Sequence, residues 1–462
     1  MGQTADLAAY IAELSWDDIP AELVGKAKAH ILDTLGVALG GSLTDHVRQT
    51  AAVVEQLGGE PQCTAIGQNF RTNALEAAFL GGTCAHSIEF DDTGQYAHTG
   101  AGIIPGAVSL GEARRIDGKT LILAVIAGYE LTARVSSAAG LAHRGRGYHP
   151  TGTCGVFGAT AVGAKILGLD AKQTEGAFGT AASHASAITQ YRCDGGPTKH
   201  IHPGIASRAG LLSALMAEAG FAGTADVIEG QYGFLNVLSD GGDLDALTKN
   251  LGTEFGLTSS DIRPYPCCRQ IHAPADLVLD MVHNKGVTAD AIETMDLYVP
   301  AYSANQDWLI NTDPPSSKLN AILSMPYSLA VAFIDGELTL RQFEENRVTD
   351  KNVHALARKL NTIEDPEMTK VFPIHRRARL EVTLKDGNKH ALEIDDPRGS
   401  IQNPLPFSDV VAKFRDLAGS VIDEAALEGM HRHIENLENL ADVSELASLL
   451  AAKDSPALTS AG

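Results

Sequence analysis

From Pro20 the run PAELVGKAKAHILDTLGVALGGS repeats apolar residues at helical spacing behind an acidic start and stops at Gly40-Gly41, the marks of a buried helix. The same Ala-, Gly- and Leu-rich texture returns over 73–85, 103–113, 119–138, 156–167, 171–185 and 205–219. Small residues let helices approach closely, so residues 1–265 are predicted to form an all-helical domain. After DIRPYPCCRQIH the period changes. A helix over 273–284 precedes ETMDLYVPAYS, which alternates as a strand does; a helix over 324–333 follows, and ARLEVTLKDGNKHALEIDD holds two alternating runs around Asp386-Gly387, a hairpin signal. Residues 266–403 are therefore expected to form a smaller α+β domain. From Pro406 helical spacing resumes in SDVVAKFRDLAG, DEAALEGMHRHIENL and DVSELASLLAA, which assigns 404–462 to the helical domain, with DSPALTSAG a frayed end. The predicted class is mainly α.

A chain of 462 residues exceeds what one core usually holds, in keeping with two domains. With 44% apolar and 20% charged residues it has a globular composition. No basic region opens the chain, and its longest apolar stretch, Leu121 to Tyr129, is short of a membrane span, so a cytoplasmic protein is expected. Six cysteines without C-x-x-C spacing read as free thiols rather than a disulfide framework or a zinc site. The net charge of -21 repels nucleic acid and anionic membranes, so neither is an expected partner. Any site for a polyanion must concentrate cations locally.

Four segments set ionisable groups against Gly and Pro, where a packed helical protein exposes functional groups. HSIEFDDTGQYAH carries Asp91, Thr93 and His98; it suits a metal, a carboxylate that orients a catalytic His, or simply a helix cap. HRGRGYHPTGTCGVFGA sets Arg144 and His149 before an Ala/Gly-rich helix, a place for a carboxylate or phosphate. YRCDGGPTKHIHPGIASRAG supplies Lys199 and His202; two His at i and i+2 lack a third nearby ligand, so Lys199 is read as an electrophile and no residue is assigned to a metal. IRPYPCCRQIH places Arg263, Cys268 and Arg269 at the domain break; Cys268 as a nucleophile and an iron–sulfur cluster both lack supporting signatures.

HSIEFDDT with His98, GYHPTGTCGVFGA, TKHIHPG, the Y-P-C-C-x-x-x-H break and A-x-x-S-x-x-Y-S-x-A-x-A-x-x-D-G at 321–336 together resemble the successive signatures of the MmgE/PrpD family. The resemblance covers essentially the whole chain. It implies a large helical domain with a smaller α+β lid, a homodimer, and action on a di- or tricarboxylate without a cofactor. Carried over by motif, the family's active-site positions fall on Asp91, Thr93, His98, His149, Lys199, Arg263, Cys268 and Tyr327.

Known members dehydrate 2-methylcitrate, decarboxylate cis-aconitate or epimerise iminodisuccinate. Decarboxylases of the animal type carry His where this chain has Cys268 and Lys where it has Arg263, which shifts the expectation toward a hydro-lyase of the 2-methylcitrate dehydratase kind. An epimerase is the next reading, decarboxylation the third, and a catalytically silent carboxylate sensor the non-enzyme alternative. In each reaction negative charge builds beside a carboxylate. Lys199 and Arg263 are expected to clamp carboxylates, with Arg144, Arg269, Cys268, Thr93 and His202 as further contacts. His149 and Tyr327 are the expected acid and base, with His98 a substitute for either and Asp91 fixing a His tautomer.

Overall fold

The computed structural model describes residues 2–94 and 96–453; the expected frayed end at 454–462 lies outside the described residues. Two compact units result, one of Met1–Ile262 with Pro406–Gly462 and one of Arg263–Leu405. The first is helical and the second is α+β, which is the class expected from the sequence.

In the helical unit, Ala74–Ala85, Thr99–Arg114, Gly118–Gly145, Gly155–Leu167 and Thr198–Glu218 form the packed centre. Asn73 starts the first of these by accepting hydrogen bonds on its side-chain oxygen from the backbone N–H of Leu75 (3.0 Å) and Glu76 (3.1 Å). Gly118–Gly145 is long and apolar enough to cross a membrane, but 83% of its apolar window is buried within the protein. Helix Ala21–Gly41 packs on the returning helix Phe407–Ala418, so the C-terminal segment completes this unit.

Helix Thr198–Glu218 sits closest to its neighbours through two glycines. A Cβ on Gly82 would lie 2.8 Å from the Cα of Gly204, and one on Gly210 would lie 2.6 Å from the Val156 carbonyl oxygen. These contacts leave no room for a methyl group, and they fix the height of the helix against Ala74–Ala85 and Gly155–Leu167. Two helices begin earlier than the pattern predicted, at Thr99 rather than 103 and at Thr198 rather than 205. Pro105 and Pro203 lie inside them, and each lacks the N–H for the carbonyl four residues back. Tertiary contacts hold the first turns instead; the Asp92 carboxylate, for example, accepts from the Gly100 N–H at 2.8 Å.

The helical unit also holds a short antiparallel pair, β1 Cys63–Thr64 with β2 Arg71–Thr72, and the second unit is built on β3 Ile292–Val299, β4 Leu360–Glu364, β5 Ala378–Leu384 and β6 Lys389–Ile394 in a four-stranded sheet of order β4-β3-β5-β6. The expected hairpin is β5–β6, antiparallel, pairing Ala378 with Ile394 and Thr383 with Lys389. β4, absent from the sequence reading, runs parallel to β3; its five residues bury only Leu360, too little alternation to register as a strand. Helices His272–Lys285 and Met325–Asp335 complete a core that includes Met295, Leu297, Leu380, Val382, Val278 and Phe333.

Gly204→Ala is expected to destabilise the protein by ~3 kcal/mol or more, because the methyl group would overlap the Phe79 carbonyl oxygen. Gly25→Ala, on an exposed helical position with open space around it, should instead gain ~0.5–1 kcal/mol. Urea denaturation of both variants measures the difference.

Candidate active site

The segment after helix Ala74–Ala85 turns sharply, with Glu89 in the left-handed region at φ 54°, and delivers two adjacent carboxylates in different directions. Asp92 is tied to the scaffold: its carboxylate accepts from the Tyr129 hydroxyl at 2.7 Å and the Gly100 N–H, and lies 3.1 Å from His30 Nδ1. Asp91 is fully buried between two imidazoles, with Oδ2 2.7 Å from His86 Nδ1 and 3.3 Å from His98 Nδ1. Burial alone would raise the Asp91 pKa, but His86 and His98 hold it well below the usual carboxylate range. The His98 side chain keeps 19% exposure, so it is the solvent-facing member of the trio. One donor atom from each of His86, Asp91 and His98 lies within 4.8 Å of the others, a donor set that can hold a metal ion.

His149 stands beside this trio, its ring 5.8 Å from His86 and 6.3 Å from His98. It precedes the short helix Pro150–Thr153, and its Nδ1 lies 2.9 Å from Nδ1 of His202, so one of the two nitrogens is the donor. Thr151 links the two segments by accepting the His98 N–H on its hydroxyl at 3.0 Å. Burial first, then His86, Lys199, His98 and His202, push the His149 pKa well down; burial, His86 and Lys199 push His202 down to about 4. Both imidazoles are therefore neutral near pH 7, able to accept a proton.

The first turn of helix Thr198–Glu218 brings three more of the residues. His202 meets His149, His200 Nδ1 lies 2.9 Å from Nε2 of His46, and Lys199 forms a buried ion pair with Glu89. The expected clamp is thus partly neutralised: a substrate carboxylate must share the Lys199 ammonium with Glu89. Thr93 is anchored through its backbone, which exchanges hydrogen bonds with Asp261 at 3.0 and 2.8 Å, and its hydroxyl has no partner among the described residues. Arg144 lies half-buried near the end of helix Gly118–Gly145, and no hydrogen bond or ion pair joins its side chain to the histidines among the described residues.

In the α+β unit, Arg263 is buried and donates to the Cys267 carbonyl at 3.4 Å. The Cys268 thiol donates to the Gln270 side-chain oxygen at 2.7 Å. Tyr327 is buried with its hydroxyl donating to the Gln342 carbonyl at 2.6 Å, so using that proton elsewhere means giving up this bond. Burial also pushes its pKa up.

Family models for the MmgE/PrpD N-terminal and C-terminal domains match residues 5–247 and 265–438. The chain belongs to the MmgE/PrpD family. Its curated relatives include the cis-aconitate decarboxylase-like protein oryM of Aspergillus oryzae, 28% identical with 97% of each chain covered. The cis-aconitate decarboxylase of Aspergillus terreus is 27% identical over 97% of this chain and 96% of its own, and that of Homo sapiens is 26% identical over 99% and 96%.

Within this family member, Asp91, His98, His149, Lys199 and His202, each singled out from the sequence, converge in the helical unit. His86, His46 and Glu89 were not assigned roles, yet His86 and Glu89 contact that group, and His46 pairs with His200, whose ring lies 6.2 Å from that of His86. His86 opens the HSIEFDDT motif five residues before Asp91, a spacing that held the clue; His46 carries no local signal, because its partner His200 is 154 residues away.

The depressed His202 pKa makes stability pH-dependent. An unfolded imidazole takes a proton near 6.5, whereas folded His202 resists to about 4, so stability is lost as pH falls through this window at ~1.4 kcal/mol per unit. His202→Gln should flatten the slope of unfolding free energy against pH between 6.5 and 4 by about that amount, as read by urea denaturation at stepped pH.

Proposed function

We propose that the protein is a lyase acting on a small di- or tricarboxylate, with His149 moving the proton beside a carboxylate. The observation that supports this most directly is a buried His149 set among His202, His98 and the Lys199–Glu89 pair, where burial presses its pKa down. Such an imidazole is held in its unprotonated form, and because the surroundings disfavour the charged form its conjugate acid is a strong donor. His98, held by Asp91 and partly exposed, is the second proton-transfer group. Lys199 offsets the charge that develops next to the substrate's carboxylate.

Decarboxylation of a cis-aconitate-like tricarboxylate is the first reaction to test, because relatives so named span nearly the whole chain. In that reaction the bond to one carboxylate carbon breaks, carbon dioxide leaves, and a proton that the partly exposed His98 relays from solvent takes its place. Dehydration of a 2-methylcitrate-like hydroxy acid is the second reading, favoured by Arg263 and Cys268 standing where the animal-type decarboxylases carry Lys and His.

Proton NMR of the chelator-treated protein in deuterated buffer, with cis-aconitate, citrate, 2-methylcitrate and iminodisuccinate in separate tubes, discriminates among these. Loss of carbon dioxide or of water from one compound is expected, with His149→Ala slowing turnover by ~10²–10⁴-fold. Deuterium entering next to a carboxylate with the skeleton intact would replace the lyase by an epimerase, and tight binding without turnover would leave a carboxylate-binding protein.

A further inference from the structure

The α+β unit holds a small open recess lined by Arg269, Arg376 and Arg377 together with Gln270, Ser303 and Phe372. Three guanidinium groups around one recess stand out in a chain of net charge -21. Arg377 is paired with Asp395 at 2.7 Å. Arg376 differs: its guanidinium carbon lies 5.4 Å from the Phe372 ring centroid, and it makes no hydrogen bond or ion pair with the described residues. The Asp396 carboxylate, one of the negative groups that acts on it at a distance, is engaged at 2.9 Å by His375.

Arg376 is half-buried, and a guanidinium with no close counter-charge at the edge of a recess is an available anchor for an anion from solvent. Burial pushes the Arg376 pKa down, the direction expected when the charge is poorly compensated. The positive field extends to His272, whose pKa burial drives well down, with Arg263, Arg269 and Arg376 adding to the effect. Helix His272–Lys285, fourteen residues long, begins at the recess, with Ala273 and Pro274 in its wall, so its N-terminal dipole adds to the field. Planar guanidinium groups match the paired oxygens of a carboxylate.

We propose that this recess is an anion subsite in which Arg376, stacked on Phe372 and flanked by Arg269, binds one carboxylate of a small polycarboxylate. The nature of the ligand rests on the function proposed above; the anion site itself does not.

The test uses the full-length native chain. Phenylglyoxal modifies accessible arginines, and mass spectrometry reads Arg376 individually, with citrate, inorganic phosphate or chloride present at matched ionic strength. Citrate is expected to slow modification of Arg376 by about tenfold or more relative to chloride, and phosphate to do so less. By calorimetry, Arg376→Gln should weaken citrate binding by about tenfold, and Arg376→Lys by less, since it keeps the charge and loses the planar fork. Modification of Arg376 that is indifferent to both anions, or unchanged citrate affinity in Arg376→Gln, overturns the site. Protection by phosphate equal to that by citrate overturns the polycarboxylate as its ligand. Because both readouts measure binding, an absence of turnover in the NMR panel would sink the proposed reaction without touching them.

Discussion

The buried Asp91 carboxylate is the constraint around which the helical unit's chemistry is arranged. A fully buried carboxylate has to be charged and paired or neutral and protonated, and here two imidazoles decide for the charged form. Once that negative charge is fixed, His86 and His98 are oriented by it, and His149 lies against both rings. His149 then completes its own bonding through His202 on a different helix. The order of dependence therefore runs from one carboxylate outward, through two rings, to His149 and His202.

Charge in this site is kept in balance. Lys199 is matched by Glu89, Asp91 by its imidazoles, and the remaining histidines are pressed toward neutrality by burial and by one another. A binding anion would therefore meet a site with little net charge of its own, and attraction must come from redistribution of the Lys199–Glu89 pair. The α+β unit is arranged in the opposite way, gathering guanidinium groups that its carboxylates do not all neutralise. The two units thus handle buried charge in opposite ways.

Much of the fold was readable because the helices are long, periodic and rich in small residues, and because the Asp386-Gly387 turn separates two alternating runs. What escaped was decided by contacts distant in sequence. The early starts at Thr99 and Thr198 run through prolines that local preference treats as barriers, and β4 exists because β3 offers it a parallel edge. The site divides the same way. Asp91, His98, His149 and Lys199 sit in motifs dense with Gly, Pro and charge, whereas the pairing of His149 with His202, or of His200 with His46, joins segments that no spacing rule connects. Arg144 looked equivalent to the other cations on charge alone, and only its position near the end of a helix distinguishes it.

Asp91 and Asp92 are neighbours with unrelated tasks, one turned to the histidines and the other gripping His30, Tyr129 and Gly100. Loop length is ordinarily the feature of a protein most open to drift, since a connection can gain or lose a residue at small energetic cost. This connection is different. Removing a single residue between His86 and Asp91 would hand Asp92 to the imidazoles and set Thr93 before Tyr129 and Gly100, whereas adding one would set Phe90 against the imidazoles and Asp91 before Tyr129 and Gly100. A stretch that looks from its secondary structure like a permissive turn is thereby a measured spacer, and descendants of this protein can vary its side chains far more freely than its count.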